Sequence, residues 1–320
     1  MPNISVFIPL YNAEQYITST VQSVLNQTWQ DFEIIILEDC STDKSYEIAS
    51  EIAKKDDRIK LYRNEVNLGM LENWNKGIEL CQQPYFVKLD ADDLWEVDFL
   101  EKSLAVLENY PEVGLVFSKY VLIDSAGNKV PNSEWDLPEF ANNKPFSGTE
   151  LVKMGPGLML SFPILRQGLS LMRREIFDEI GKYNYLLTPE TLASTDTEFY
   201  FRLGAHYKIF CINEELYLYR IHNNSISRKD ENDGLNDLKL YEIRICIFDY
   251  YFKQGLLSFK EHRHFSNKAS MLYQPSLINF YNKNKEYLKS LKAFFMLFSR
   301  HSFFTIKFYS KRIYKKFIAL

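Results

Sequence analysis

The feature that most restricts the fold is a regular alternation in the first 118 residues. Short apolar runs recur at Ile4–Leu10, Phe32–Glu38, Ile59–Arg63, Tyr85–Leu89 and Val113–Ser118. Between them, Ala13–Asn26, Asp43–Lys55, Leu71–Cys81 and Val97–Asn109 carry apolar residues at helical spacing. The run FEIIILE is too apolar for a strand with one wet face; it reads as buried on both faces, as in a parallel sheet. Parallel strands need crossovers, and crossovers of this length are right-handed helices packed on the sheet. The expected fold class is therefore α/β, with a doubly wound, mostly parallel sheet.

In such sheets ligands bind beyond the carboxyl ends of the strands. That rule selects Pro9-Leu10-Tyr11-Asn12, Glu38-Asp39, Asn67-Leu68-Gly69 and Asp90-Ala91-Asp92-Asp93. The last segment, in KLDADDLW, is the strongest signal. Three carboxylates this close repel one another unless a cation lies among them, and hard divalent ions bridge carboxylates to diphosphates. The plain alternative is an acidic loop capping the next helix. Asp39 can accept a hydrogen bond from the imide N–H of uracil or thymine, or it can belong to a turn, since Asp39–Asp43 is turn-like. Tyr11 can offer a ring face to a base or simply pack.

Two later segments add chemistry. In Ser194–Leu203 (STDTEFYFRL), Asp196 begins an amphipathic helix, either as its cap or as a general base. A single base without a second carboxylate nucleophile implies one in-line displacement and inversion. In Tyr219–Ser227 (YRIHNNSIS), His222 follows a strand; a neutral imidazole there can ligate a divalent metal. No G-x-G-x-x-G, G-x-x-x-x-G-K-[ST] or G-x-S-x-G occurs at the positions those chemistries need, which disfavours dehydrogenases, P-loop NTPases and α/β-hydrolases.

Taken in order, ISVFIPLYNAEQYI, FEIIILEDCSTD, NLGMLENWNKGIELC, YFVKLDADD, TDTEF and YRIHNNSIS resemble the family 2 glycosyltransferases of the GT-A fold, over Ile4–Ser227. The resemblance implies transfer of a sugar from a nucleotide diphosphate with inversion, assisted by Mg²⁺ or Mn²⁺. It implies a donor site drawn from Pro9, Tyr11, Asn12, Glu14, Asp39, Asn67, Gly69, Asn75 and Asp90, with Tyr11 stacking on the base held by Asp39. It makes Asp92 and His222 the metal side of the site and Asp196 the catalytic base. It also places Gly168 on an acceptor-side glycine loop. Two departures stand out: the usual D-D-G-S is Glu38-Asp39-Cys40-Ser41, and the frequent Glu before the catalytic Asp is Thr195.

Charge divides the chain. Residues 251–320 hold fourteen Lys/Arg against Glu261 and Glu286, within a chain of net charge −4. The first 250 residues are correspondingly acidic. We expect a GT-A catalytic domain over 1–228, with a nucleotide-sugar half (1–118) and an acceptor half (119–228) whose stretch Tyr120–Gly168 is loop-rich. A basic, aromatic-rich helical extension follows over 229–320. From Lys289 onward no acid occurs, and Lys and Arg alternate with Phe and Tyr, a composition that suits an anionic membrane surface. Packing on the catalytic domain or on a partner subunit is the alternative; nucleic acid is disfavoured by the acidic body. Four scattered cysteines and the absence of a signal-peptide pattern or a long apolar run lead us to expect a cytoplasmic protein at the inner face of the membrane. The acceptor expected there is a glycan or lipid-linked glycan. The rival readings are a sugar nucleotidyltransferase and a catalytically inactive sugar-nucleotide-binding scaffold.

Overall fold

The computed structural model describes residues 3–131, 138–155, 170–183, 195–222 and 235–283. Gly168, the stretch Asn223–Ser227 and the tail from 284 lie outside them. The chain divides into two compact units, Met1–Lys153 with Leu160–Ser225, and Met154–Met159 with Ile226–Leu320.

The first unit is built as the alternation predicts. Strands β1 (Ile4–Leu10), β2 (Phe32–Glu38), β3 (Ile59–Arg63) and β4 (Tyr85–Lys88) are joined by α1 (Ile17–Leu25), α2 (Ser45–Ala53) and α3 (Met70–Leu80). Every residue of β2 is buried, which accounts for its unbroken apolar sequence. Beyond β4 come β5 (Leu94–Trp95), α4 (Phe99–Asn109), β6 (Val113–Ile123), β7 (Pro145–Ser147), α5 (Gly148–Lys153), β8 (Ser170–Arg173), α6 (Ile176–Ile180), α7 (Thr195–Gly204) and β9 (Lys208–Arg220). Along the sheet the order is β3-β2-β1-β4-β8-β6-β9-β5, with β7 on β9. The pairings β1–β2, β1–β4, β2–β3 and β6–β9 are parallel, whereas β5, β7 and β8 run antiparallel to their neighbours.

The chain steps outward from β1 to β3, then returns to place β4 on the other side of β1. Their junction is the switch point at which α/β sheets bind ligands. Register makes the site possible. Leu10 lies opposite Glu38, and Glu38 opposite Arg63, so the loops after β1, β2 and β3 leave the sheet at one level.

The structure departs from expectation in detail. Helix α1 starts at Ile17 instead of Ala13, because Asn12–Glu14 are bound to the loop after β2. Strand β9 runs unbroken from Lys208 to Arg220 and follows the irregular register of β6 around Ser118–Tyr120. Within the loop-rich stretch, the described part carries the end of β6, β7, α5 and a short 3-10 turn at Glu139–Ala141.

The second unit contains α8 (Leu235–Lys253) and α9 (Phe259–Lys283). Ile247, Phe248, Leu257 and Phe265 are buried in it, with Phe248 and Phe265 stacked at 5.6 Å. Ser258 and Glu261 start α9 with a reciprocal capping box: the Ser258 N–H donates to Glu261 Oε2 (2.9 Å) and the Glu261 N–H to Ser258 Oγ (3.3 Å). Among the described residues no helix is long and apolar enough to cross a membrane.

Candidate active site

The loop after β2 forms the first part of the site. Asp39 is buried, and its carboxylate organises the segment before α3. Oδ1 accepts from Asn64 Nδ2 (2.8 Å) and the Leu68 N–H (2.8 Å), and Oδ2 accepts from the Gly69 N–H (2.9 Å). Asn67 Nδ2 donates to the Asp39 carbonyl at 2.8 Å. Lys76 Nζ donates to Asn64 Oδ1 (2.7 Å), which fixes the Asn64 amide so that its NH₂ faces Asp39. A carboxylate has about four lone-pair positions, and three are filled, so one acceptor position remains on Oδ2. Gly69 sits at φ 77° directly before α3, a conformation side chains resist.

The loop after β1 is tied to the same region. The Asn12 N–H donates to Ser41 Oγ (3.0 Å) and Asn12 Oδ1 accepts from the Thr42 N–H (2.8 Å). The Glu14 N–H donates to Asp43 Oδ2 (3.1 Å), while Glu14 Oε2 accepts from the Lys44 N–H (3.0 Å). Asn12 and Glu14 thus brace the wall of the site. Pro9 lies in β1 opposite Leu37, and Tyr11 beyond it is 50% exposed, a ring open to a stacking partner. Asn75 faces another way: its amide donates to the Tyr183 carbonyl (2.8 Å), not to the Asp39 cluster.

The acidic loop after β4 is the second part, and β5 explains its geometry. Leu94 pairs with Leu218 and Trp95 with Tyr217, which carries the end of β9 alongside Asp92 and Asp93. His222 Nε2 lies 2.9 Å from Asp92 Oδ2. The ring of Tyr16 packs on His222 (4.9 Å), and the Arg220 guanidinium lies 5.0 Å from the same ring. Arg220 also clamps the loop, donating to the carbonyls of Asp92 (2.6 Å), Asp124 (3.0 Å) and Ser125 (3.1 Å). Thr20 Oγ1 is 2.9 Å from the carbonyls of both Ala91 and Asp93. Asp90, in turn, is ion-paired with Lys88.

Asp93 serves the scaffold. It is fully buried, accepting from the Arg220 N–H (2.7 Å) and from the Tyr217 hydroxyl. Burial, with Asp92 and Asp90 beside it, pushes its carboxyl well above the usual range, against the pull of those two donors.

Asp196 lies in the first turn of α7, at the positive end of the helix. It is buried, and its Oδ1 accepts from the Thr197 N–H at 2.8 Å. Burial, then the charge of Asp196, raises the Tyr200 hydroxyl; for Tyr183 burial leads, followed by Tyr200 and Asp196. The charge of Asp90 adds to the raising of both tyrosines. Arg202 anchors α7. It pairs with buried Glu198 (2.7 Å) and donates to the carbonyls of Ile180, Gly181 and Lys182. Burial raises the Glu198 carboxyl, against the opposing pull of Arg202.

Among the described residues no group of three or more His, Cys, Asp or Glu forms a metal cluster. The Asp92–His222 pair nevertheless fits a shared cation. A carboxylate oxygen and an imidazole nitrogen held in hydrogen-bond contact are a donor pair that such an ion would take. Tyr16, Thr20, Lys88, Arg220 and Tyr217 are site residues that the sequence patterns missed. A buried hydroxyl or cation inside an apolar element carries no periodic signature.

The doubly wound sheet, with an acidic loop after β4 at its switch point and a carboxylate at the head of α7, is an arrangement of the GT-A type. The family model for glycosyl transferase family 2 matches residues 5–181, and the chain belongs to that family. It is 45% identical over 103 residues to TuaG of Bacillus subtilis, a candidate teichuronic acid biosynthesis glycosyltransferase, covering 32% of this chain and 41% of TuaG. Among solved structures it is similar to S. aureus TarS (residues 1–349) in complex with UDP-GlcNAc, with a TM-score of 0.62 and 15% identity over 88% of this chain and 80% of the other. It is also similar to the mannosyltransferase PcManGT from Pyrobaculum calidifontis in complex with GDP-Man and Mn²⁺, with a TM-score of 0.57 and 14% identity over 98% and 79%.

Proposed function

We propose that the protein is an inverting hexosyltransferase that moves a sugar from a UDP-sugar to a hydroxyl of a lipid-linked or surface-polysaccharide glycan. The observation that carries this reading is the Asp92–His222 pair at 2.9 Å beside the switch point, with Asp196 buried at the head of α7. Asp196 accepts the proton of the acceptor hydroxyl as its oxygen attacks the anomeric carbon. The bond from that carbon to the diphosphate breaks on the opposite face, giving inversion and free nucleoside diphosphate. A divalent cation, Mg²⁺ or Mn²⁺, held by Asp92 and His222, supplies charge stabilisation to the leaving diphosphate when bound. The PcManGT complex with Mn²⁺ supports that choice.

Asp39 supports uracil over guanine. One free acceptor position on its carboxylate matches the single imide N–H of uracil, whereas guanine offers an N–H and an amino group together. Tyr11 stacks on the base, Asp90 meets the ribose, and Pro9, Asn12, Glu14, Asn67 and Gly69 shape the walls around them; Asn75, turned to the Tyr183 carbonyl, is left out of the donor site. The UDP-GlcNAc complex of TarS is consistent with a uridine donor.

In this proposal residues 1–228 carry out the transfer and 229–320 hold the enzyme at the inner face of the cell membrane, where a lipid-linked acceptor lies. The basic, aromatic-rich sequence from Lys289 and the likeness to TuaG support a membrane-bound, polysaccharide-type acceptor. Competitive binding of UDP, GDP and TDP in MnCl₂, followed by NMR of the product anomer, tests the assignment. Preference for UDP and an inverted product are expected. Tighter GDP binding overturns the donor, and a retained anomer overturns the mechanism. Nucleotide binding without turnover of any lipid-linked acceptor favours an inactive scaffold.

A further inference from the structure

Lys88 ends β4, between β1 and β8, where the strand pattern calls for an apolar residue. Its side chain is only 3% exposed. A buried ammonium is retained at a cost unless it is paired, and two contacts hold it. Its Nζ is ion-paired with Asp90 Oδ1 and lies 4.5 Å from the ring centroid of Trp74. Trp74 is itself buried and packs edge-on against Tyr183 at 5.5 Å, so the ring that faces the ammonium is fixed. Asp90 is 30% exposed, with one oxygen tied inward.

We propose that Lys88 is a positioning residue for the donor. It locks the orientation of Asp90 and offsets the negative charge that Asp90 presents to an arriving diphosphate. An apolar side chain of similar length would pack in β4 without the cost of a buried charge, so the cation serves the ligand and not the fold. The role rests on the nucleotide-diphosphate reading of the site.

Calorimetric binding of UDP in MnCl₂ to the wild type, Lys88→Met, Asp90→Asn and the double variant tests it, with thermal melting alongside. We expect Lys88→Met to bind UDP about tenfold or more weakly, in line with loss of a charge-assisted contact, and to melt no lower than the wild type. The double variant should bind no more weakly than Asp90→Asn alone, because Lys88 acts through Asp90. Unchanged affinity in Lys88→Met, or losses that add in full in the double variant, overturns the role. So does a lowered melting temperature with unchanged affinity, which marks Lys88 as structural. A wild type that binds no nucleoside diphosphate overturns the donor reading and this role with it.

Discussion

Cys40 follows Asp39 directly and adopts φ 58°, a left-handed conformation that non-glycine residues enter at a cost. The usual family residue here is glycine, and the geometry explains the preference. The thiol compensates only by a contact with the Asn64 carbonyl at 3.2 Å, a weak bond. Cys40→Gly should therefore stabilise the protein by about 0.5–1 kcal/mol, read as a melting temperature about 2 °C higher. A lower melting temperature would show that the sulfur contact outweighs the strain. This residue was visible in the sequence as a departure, but its conformation was not. The same holds for Asp92 and His222: each stood out chemically, yet 130 residues separate them. What joins them is β5, two residues long and too short to carry any periodicity.

At the scale of elements, the alternation of runs made β1 to β4 and their helices legible: β1, β2 and β4 are largely buried and cannot hide their apolar sequence, and β3, an edge strand with Ile59 buried, was marked by its place in the alternation. Close packing was less legible. Gly77 lies mid-helix in α3, where a glycine is unfavourable by about 1 kcal/mol against alanine. The reason is contact with β1: a Cβ on Gly77 would sit 2.1 Å from the Phe7 ring. Gly77→Ala should destabilise the protein by about 1–3 kcal/mol in denaturant unfolding despite its better helix propensity; a stabilised variant would refute this packing. Helix α7 makes the complementary case. Removing Arg202 leaves Glu198 buried without its cation and frees α7 from the carbonyls at 180–182. Arg202→Met should cost about 3–5 kcal/mol, and unchanged unfolding would show that the pair does not anchor the base-bearing helix.

Over the whole molecule, charge is divided along the sequence between an acidic first part and a basic end. The doubly wound, mostly parallel character of the first unit was readable because apolar runs alternate with helical segments; the strand order and the antiparallel insertion of β8 were not, since no short-range signal encodes either. Charge predicts binding to vesicles. The full chain should co-sediment with phosphatidylglycerol-containing vesicles, weaken as salt rises, and ignore pure phosphatidylcholine. Equal binding to both lipids, or none, would contradict an electrostatic attachment by the basic, aromatic end.

The central claim is that Asp92 and Asp196 divide the reaction between leaving group and acceptor. It is tested most directly by nucleoside diphosphate release from the preferred sugar nucleotide, with and without Mn²⁺, for the wild type, Asp92→Asn and Asp196→Asn. The account predicts release by the wild type only with metal, and loss of about 10²–10⁴ in rate in Asp196→Asn with metal-supported UDP binding retained. It predicts that Asp92→Asn loses the response to metal. Release that is indifferent to metal, or that survives in Asp196→Asn, would contradict it.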